Sequence, residues 1–109
     1  MFRTRVALFA LAAWLAAGAS ADNQGEGDAA KGKDAFQQRC QLCHFEDSAD
    51  KKIGPGLAGI KDGQLPSGKE ATGENVLENL NKGGNGMPAF EQMLSEEEKA
   101  DIVAYVLSL

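Results

Sequence analysis

Apolar positions fall into a few runs along the chain, and each run has its own spacing. The first, Val6 to Ala17, is an unbroken stretch of 12 apolar residues, preceded by Arg3 and Arg5 and followed by Ala19-Ser20-Ala21. A basic start, a short apolar centre and a small-residue end make a cleavable secretory signal peptide, assigned to residues 1–21. A spanning helix needs about 20 apolar residues, and Val6 to Ala21 is only 16, so no stable membrane insertion is expected of the mature chain. Residues 22–27 are polar and Gly-rich and read as a flexible leader. The folded domain is assigned to residues 28–109. Asp28 can cap a helix running to Arg39. Within and just beyond that helix, Gly32, Phe36, Cys40 and Cys43 fall at i, i+4, i+8 and i+11, on one face. Lys51 to Gly73 reads as loop, with turn signals at Gly54-Pro55-Gly56 and Leu65-Pro66-Ser67-Gly68 and a short helix over Leu57 to Lys61. Thr72 can cap a second helix, Gly73 to Asn81, whose apolar side is Val76, Leu77 and Leu80. Lys82 to Pro88 is too rich in glycine to stay helical. The last run has the strongest helix signal. Ser95 and Glu98 form a capping box, Glu96 to Glu98 place negative charge at the positive end of the helix dipole, and Ile102, Tyr105, Val106 and Leu109 share one face. With no strand-like alternation and no internal repeat, the mature domain reads as all-α with three main helices.

The length, 109 residues, suits one domain. Charge narrows the partners. Without Arg3 and Arg5 the remaining 88 residues keep 9 basic against 16 acidic side chains, a net charge of −7. That balance argues against nucleic acid, whose phosphates need clustered Lys and Arg. It favours a basic docking patch on another protein. A domain of this size sits close to the limit for a self-sufficient apolar core, where a disulfide, metal or other staple is common. Trp14 is lost with the signal, leaving Phe36, Phe45, Phe90 and Tyr105 as the aromatic residues, so something else is expected to fill the middle.

Cys40-Gln41-Leu42-Cys43-His44 carries the chemistry. Four readings compete: a structural disulfide in an exported protein, a thioredoxin-like redox pair, a zinc site, and covalent haem attachment. The redox pair needs a βαβ context that is missing. Zinc needs further Cys or His ligands, and the chain has 2 Cys and 1 His in all. Haem attachment uses the most residues: two thiols one helical turn apart form thioethers to the two vinyl groups, and the adjacent histidine is delivered to one face of the iron. Because His44 is the sole histidine, a second axial ligand must be of another kind. Met87 is the leading candidate. Glycines around it permit tight bends against a flat group, and Pro88 pushes it towards an extended conformation. Met93 is the rival, expected instead to pack in the core. His/Met ligation raises the reduction potential and closes both axial positions, which favours electron transfer over catalysis.

The segments GDAAKGKDAFQQRCQLCH, IGPGLAG, GGNGMPAF and LSEEEKADIVAYVLSL, in that order, resemble the class I c-type cytochromes over nearly the whole mature domain. The resemblance implies a cytochrome c fold, helices and loops wrapped around one covalently bound haem c. It implies haem held by Cys40 and Cys43 with His44 and Met87 as axial iron ligands. It further implies that the Pro55 carbonyl accepts a hydrogen bond from the His44 ring, and that Gly32 and Phe36 pack against Tyr105. The chain departs from several members in lacking a Trp or a second Tyr for a haem propionate; Arg39 is the only mature arginine. The function implied is a periplasmic, monomeric, single-electron carrier between redox proteins, or one of the thylakoid lumen in a phototroph. A dedicated haem subunit of a periplasmic dehydrogenase, and a gas-binding or peroxide-reactive haem protein, are the alternatives.

Overall fold

A computed structural model describes residues 27–109. The expected signal peptide and all of the polar leader except Gly27 lie outside the described residues. The first helix, α1 (Ala29–Arg39), starts where the Asp28 carboxylate accepts hydrogen bonds from the amides of Ala30 and Lys31, at 2.9 and 3.3 Å. These bonds satisfy amides that have no partner inside the helix. α2 (Gly73–Lys82) is capped by the Thr72 hydroxyl, which accepts from the Asn75 amide at 3.1 Å. α3 (Glu96–Val106) opens on the reciprocal capping box of Ser95 and Glu98. Among the described residues there are no strands, only two isolated bridges, Gln64 with Glu70 and Gly84 with Met87. The architecture is all-α, three helices joined by turns and loops.

α1 and α3 cross closely because two glycines remove the obstacle. A Cβ on Gly32 would overlap the Asp101 carbonyl and crowd the Tyr105 Cβ; one on Gly27 would overlap the Ala100–Asp101 peptide. The buried Asp101 carboxylate accepts from the Asp28 amide at 2.7 Å, so α3 adds negative charge at the start of α1, where the helix dipole favours it. One turn further on, the Phe36 and Tyr105 rings meet edge to face, centroids 5.5 Å apart. Such a pair contributes roughly 0.5–1.5 kcal/mol beyond its area. Phe36, Cys40, Val76, Leu80, Phe90, Leu94, Ile102, Val103 and Val106 belong to the single core cluster.

Two expectations need correction. The helix expected over Leu57 to Lys61 is a 3₁₀ turn at Ile60–Asp62, because Gly59 has φ +75° and its left-handed backbone blocks an earlier start. Met93 is not in the core. It is exposed while its neighbour Leu94 is buried, the segment before α3 being a turn that can point only one of them inward.

Candidate haem-binding site

Cys40 follows the last residue of α1, and its amide still donates to the Phe36 carbonyl at 2.7 Å. The amides of Cys43 and His44 both donate back to the Cys40 carbonyl, at 3.1 and 3.0 Å, so the five residues wind as a continuation of the helix. Both cysteines are free thiols, Cys40 buried and Cys43 half-buried. Burial pushes the Cys40 thiol up to about 11, against the opposing pull of the Arg39 charge. It is therefore protonated at neutral pH, an unreactive form towards oxidation and towards metals that bind thiolate. Among the described residues no group of three or more His, Cys, Asp or Glu side chains gathers to hold a metal ion. The two sulfurs are not joined as a disulfide, and no further ligands gather beside them to make a zinc site among the described residues.

The His44 ring is fixed from two sides. Its Nδ1 lies 2.8 Å from the Pro55 carbonyl oxygen, and Gly54 packs so close to the ring that a Cβ there would lie 2.5 Å from Cε1 and 2.9 Å from Nδ1. The Gly54 amide in turn donates to the Cys43 carbonyl at 2.6 Å. The Gly-Pro-Gly turn is thus tied back to the segment that carries the cysteines. A histidine that donates from Nδ1 presents Nε2 as a bare lone pair, the form that ligates a metal. Lys52 sits over the Phe45 ring, 5.1 Å from its centroid, and donates to the Gln41 carbonyl at 3.1 Å.

Met87 is carried by an unusual backbone. Gly83, Gly84, Asn85 and Gly86 all have positive φ, at 61°, 121°, 53° and 90°. That run is open to glycine and, among other residues, chiefly to Asn and Asp. Gly84 and Met87 exchange both backbone hydrogen bonds, at 2.9 and 3.0 Å. Asn85-Gly86 therefore forms a two-residue hairpin turn with the positive φ pair of type I′. The segment is a tight hairpin, not the flexible loop that its glycine content suggests, and the Asn-Gly pair was the sequence signal for it. A Cβ on Gly83 would overlap the Met87 and Pro88 carbonyls. The Met87 side chain packs against the cluster that contains Cys40, and Asn79 Nδ2 donates to its sulfur at 3.7 Å.

Sequence reasoning missed two interactions beside these residues. Tyr105 donates its hydroxyl to Glu46, which also accepts from Gln37 at 3.2 Å. Lys99, on the same helical stripe as Ile102 and Val106, is buried. A charge on an apolar stripe was the available signal for Lys99; for Glu46 there was none, because its partner lies 59 residues away.

The residues suit a haem: two free thiols on one turn, an imidazole with one nitrogen committed and one free, and a thioether that shares the core cluster with Cys40. Comparison with known proteins points the same way. The family described as cytochrome c oxidase, cbb3-type, subunit III matches residues 27–106. Cytochrome c type-1 of Ascaris suum is 34% identical over 98 residues, covering 74% of this chain and 88% of that protein. Cytochrome c6 of Rippkaea orientalis is 28% identical over 82 residues, covering 75% and 71%. The structure of cytochrome c6 from the diatom Phaeodactylum tricornutum superposes with a TM-score of 0.61 at 32% identity, covering 75% of this chain and 93% of that one. On the family match, these relatives and the shared fold, the chain belongs to the small class I c-type cytochromes, electron carriers with a single covalently bound haem c.

Proposed function

We propose that the protein is an exported, periplasmic electron shuttle in which Cys40 and Cys43 hold the haem as thioethers and His44 and Met87 are the axial iron ligands. Haem, when bound, supplies a one-electron Fe(III)/Fe(II) couple. The rest falls to the chain. The Pro55 carbonyl accepts a hydrogen bond from Nδ1–H of His44, which fixes the tautomer and the ring plane and makes Nε2 the better ligand. The Met87 thioether is a soft ligand that favours Fe(II). With His44 and Met87 both holding the iron, no open position would remain for a substrate, and little would have to move when the charge changes.

The observation that carries this reading is the restraint of both side chains before any ligand is considered: His44 between Pro55 and Gly54, Met87 on a hairpin closed by two backbone bonds. That restraint counts against the gas-binding or peroxide-reactive alternative, which needs Met87 to leave iron readily. The export signature at residues 1–21 supports a periplasmic location, or the thylakoid lumen in a phototroph. The acidic surface suits redox partners with a basic patch, met by a monomer.

A dedicated haem subunit of a larger enzyme, such as a periplasmic dehydrogenase, is the second reading, favoured by the oxidase-subunit description of the matching family. Isolation from the native cell separates the two: a free monomer supports the shuttle, a stable complex the subunit.

The ligand assignment is tested by absorption spectra of the mature protein made in a host that attaches haem c. The oxidised form is expected to show the weak sulfur-to-iron charge-transfer band, and Met87→Ala is expected to abolish it. A wild-type protein without that band would sink the assignment.

A further inference from the structure

Lys99 is 1% exposed, a placement that lysine tolerates only when its charge is met by hydrogen bonds. Its Nζ has three acceptors: Asn81 Oδ1 at 3.0 Å, the Glu91 carbonyl at 3.2 Å and Glu96 Oε1 at 2.7 Å. The count matches the three hydrogens of an ammonium group. The positions of those acceptors matter more than their number. Asn81 lies in the last turn of α2, just before the positive-φ run, and Glu91 lies just after Phe90. The segment between them contains Met87. The same neck is closed by one backbone bond, Phe90 amide to Leu80 carbonyl at 2.9 Å. Lys99 thus bridges the two strands of chain where the Met87 segment leaves and rejoins the core. It does so from α3, the helix locked to α1 through Gly32, Asp101 and Tyr105, and α1 leads into Cys40, Cys43 and His44.

For packing alone, an apolar side chain at this point of the α3 stripe would avoid the desolvation of a charge. The charged residue brings two directed bonds across the neck, and these an apolar side chain cannot make.

We propose that Lys99 is a positioning residue for the second axial ligand: by tying Asn81 to Glu91 it holds the Met87 hairpin in its ligating place and slows the opening that would free the iron. This rests on Met87 being that ligand, as proposed above. Lys99 acts through the neck, by way of Asn81 and Glu91. When Lys99 is replaced by Met, Asn81 Oδ1 and the Glu91 carbonyl lose their donor while the buried volume is nearly kept. When it is replaced by Arg, donors remain.

The test uses the mature holoprotein in its oxidised form and measures the rate at which added cyanide replaces the sulfur ligand, followed by loss of the charge-transfer band. The expected result for Lys99→Met is an exchange rate raised roughly tenfold or more, the scale of a lost hydrogen bond to a charged group, together with faster amide exchange at Gly84 and Met87. Lys99→Arg should return both towards wild type. Asn81→Ala, which removes one acceptor near the surface and leaves the core intact, should raise the rate in the same direction and keeps the test open if Lys99→Met does not fold. Val103→Ala serves as the control for general loss of stability and should leave the exchange rate near wild type. Wild-type exchange rates in Lys99→Met and Asn81→Ala, with the band present in all proteins, would overturn the role of Lys99 alone. So would a Val103→Ala rate that rises as far as that of Lys99→Met. A wild-type protein without the band would overturn the Met87 ligand and this role with it.

Discussion

Nδ1 of His44 stands 2.8 Å from the carbonyl oxygen of Pro55, and the preceding residue, Gly54, is the surface against which the same imidazole rests. One short turn therefore sets both the rotation of the ring and its proton. Gly54→Ala is expected to push the ring aside. Overpacking of this kind costs roughly 1–3 kcal/mol, to be read from denaturant unfolding of the holoprotein. Electron paramagnetic resonance of the oxidised form should show changed g-values, because the imidazole plane turns. Unchanged g-values would mean that Gly54 does not set the ring.

The α1–α3 crossing depends on Gly32. In Gly32→Ala the new methyl group meets the Asp101 carbonyl, which belongs to a helix backbone and cannot turn away. Although alanine is the better helix former by about 1 kcal/mol, the overlap is expected to dominate. Thermal unfolding should show a net loss of at least ~1–3 kcal/mol. A rise in stability would mean that the helices can separate at little cost.

Tyr105 is the only tyrosine, so its ionisation can be followed alone, with Tyr105→Phe as the blank. Burial, then the hydrogen bond and charge of Glu46, push its hydroxyl up to about 12 from 10.0. The folded state thus holds a proton that the unfolded state has released. Stability from this group is complete below pH ~10 and is lost as pH rises towards ~12. Glu46 has the opposite dependence. The hydrogen bond from Tyr105 holds its carboxyl below the usual 4.5, so its contribution is present above pH ~4.5 and is lost as pH falls through the lowered value. Glu46→Gln should bring the tyrosine part of the way back towards 10.0, since burial remains. Spectrophotometric titration checks this.

Asn79 directs an amide hydrogen at the sulfur of Met87. With Met87 holding the iron as proposed, the positive end of that amide would lie near the site where charge changes and would favour the reduced state. Asn79→Val removes that dipole with little change in bulk. A hydrogen bond has a net worth of about 1 kcal/mol, so the potential should fall by some tens of millivolts on the scale of about 59 mV per tenfold for one electron. A potentiometric titration measures it, and a rise would reverse the assignment of this amide.

Much of this fold was legible because its signals are local. Asp28, Thr72 and the Ser95–Glu98 pair announce the three helix starts through side chains that reach only two or three residues. Phe36 and Tyr105 show themselves by helical spacing, though their meeting came from the family resemblance. The candidate site was legible as a cluster, Cys40 to His44, for the same reason of short range. Lys99 was obscured because two of its three acceptors, Asn81 and the Glu91 carbonyl, lie outside its own helix, and only Glu96, at i,i+3, follows from spacing. Glu46 was hidden because its hydrogen bond closes a long stretch of chain. The Asn85-Gly86 hairpin was in view but was outweighed by its neighbouring glycines, which read as freedom when the backbone uses them for left-handed turns. Gly59 hid the true start of the 3₁₀ turn in the same way.

The contact between the first and last helices also sets an order of events. Asp28 and Asp101, joined by a hydrogen bond, are 73 positions apart, and α1 finds its main partner only in the final residues of the chain. Synthesis therefore makes α3 well after α1. Until then α1 has little to pack on, and an isolated helix of 11 residues is marginal in water. Closure across so long a separation is slow compared with local winding. The segment holding Cys40 and Cys43 therefore has little tertiary packing until α3 arrives, and the residues of α3 complete the core in which Cys40 is buried.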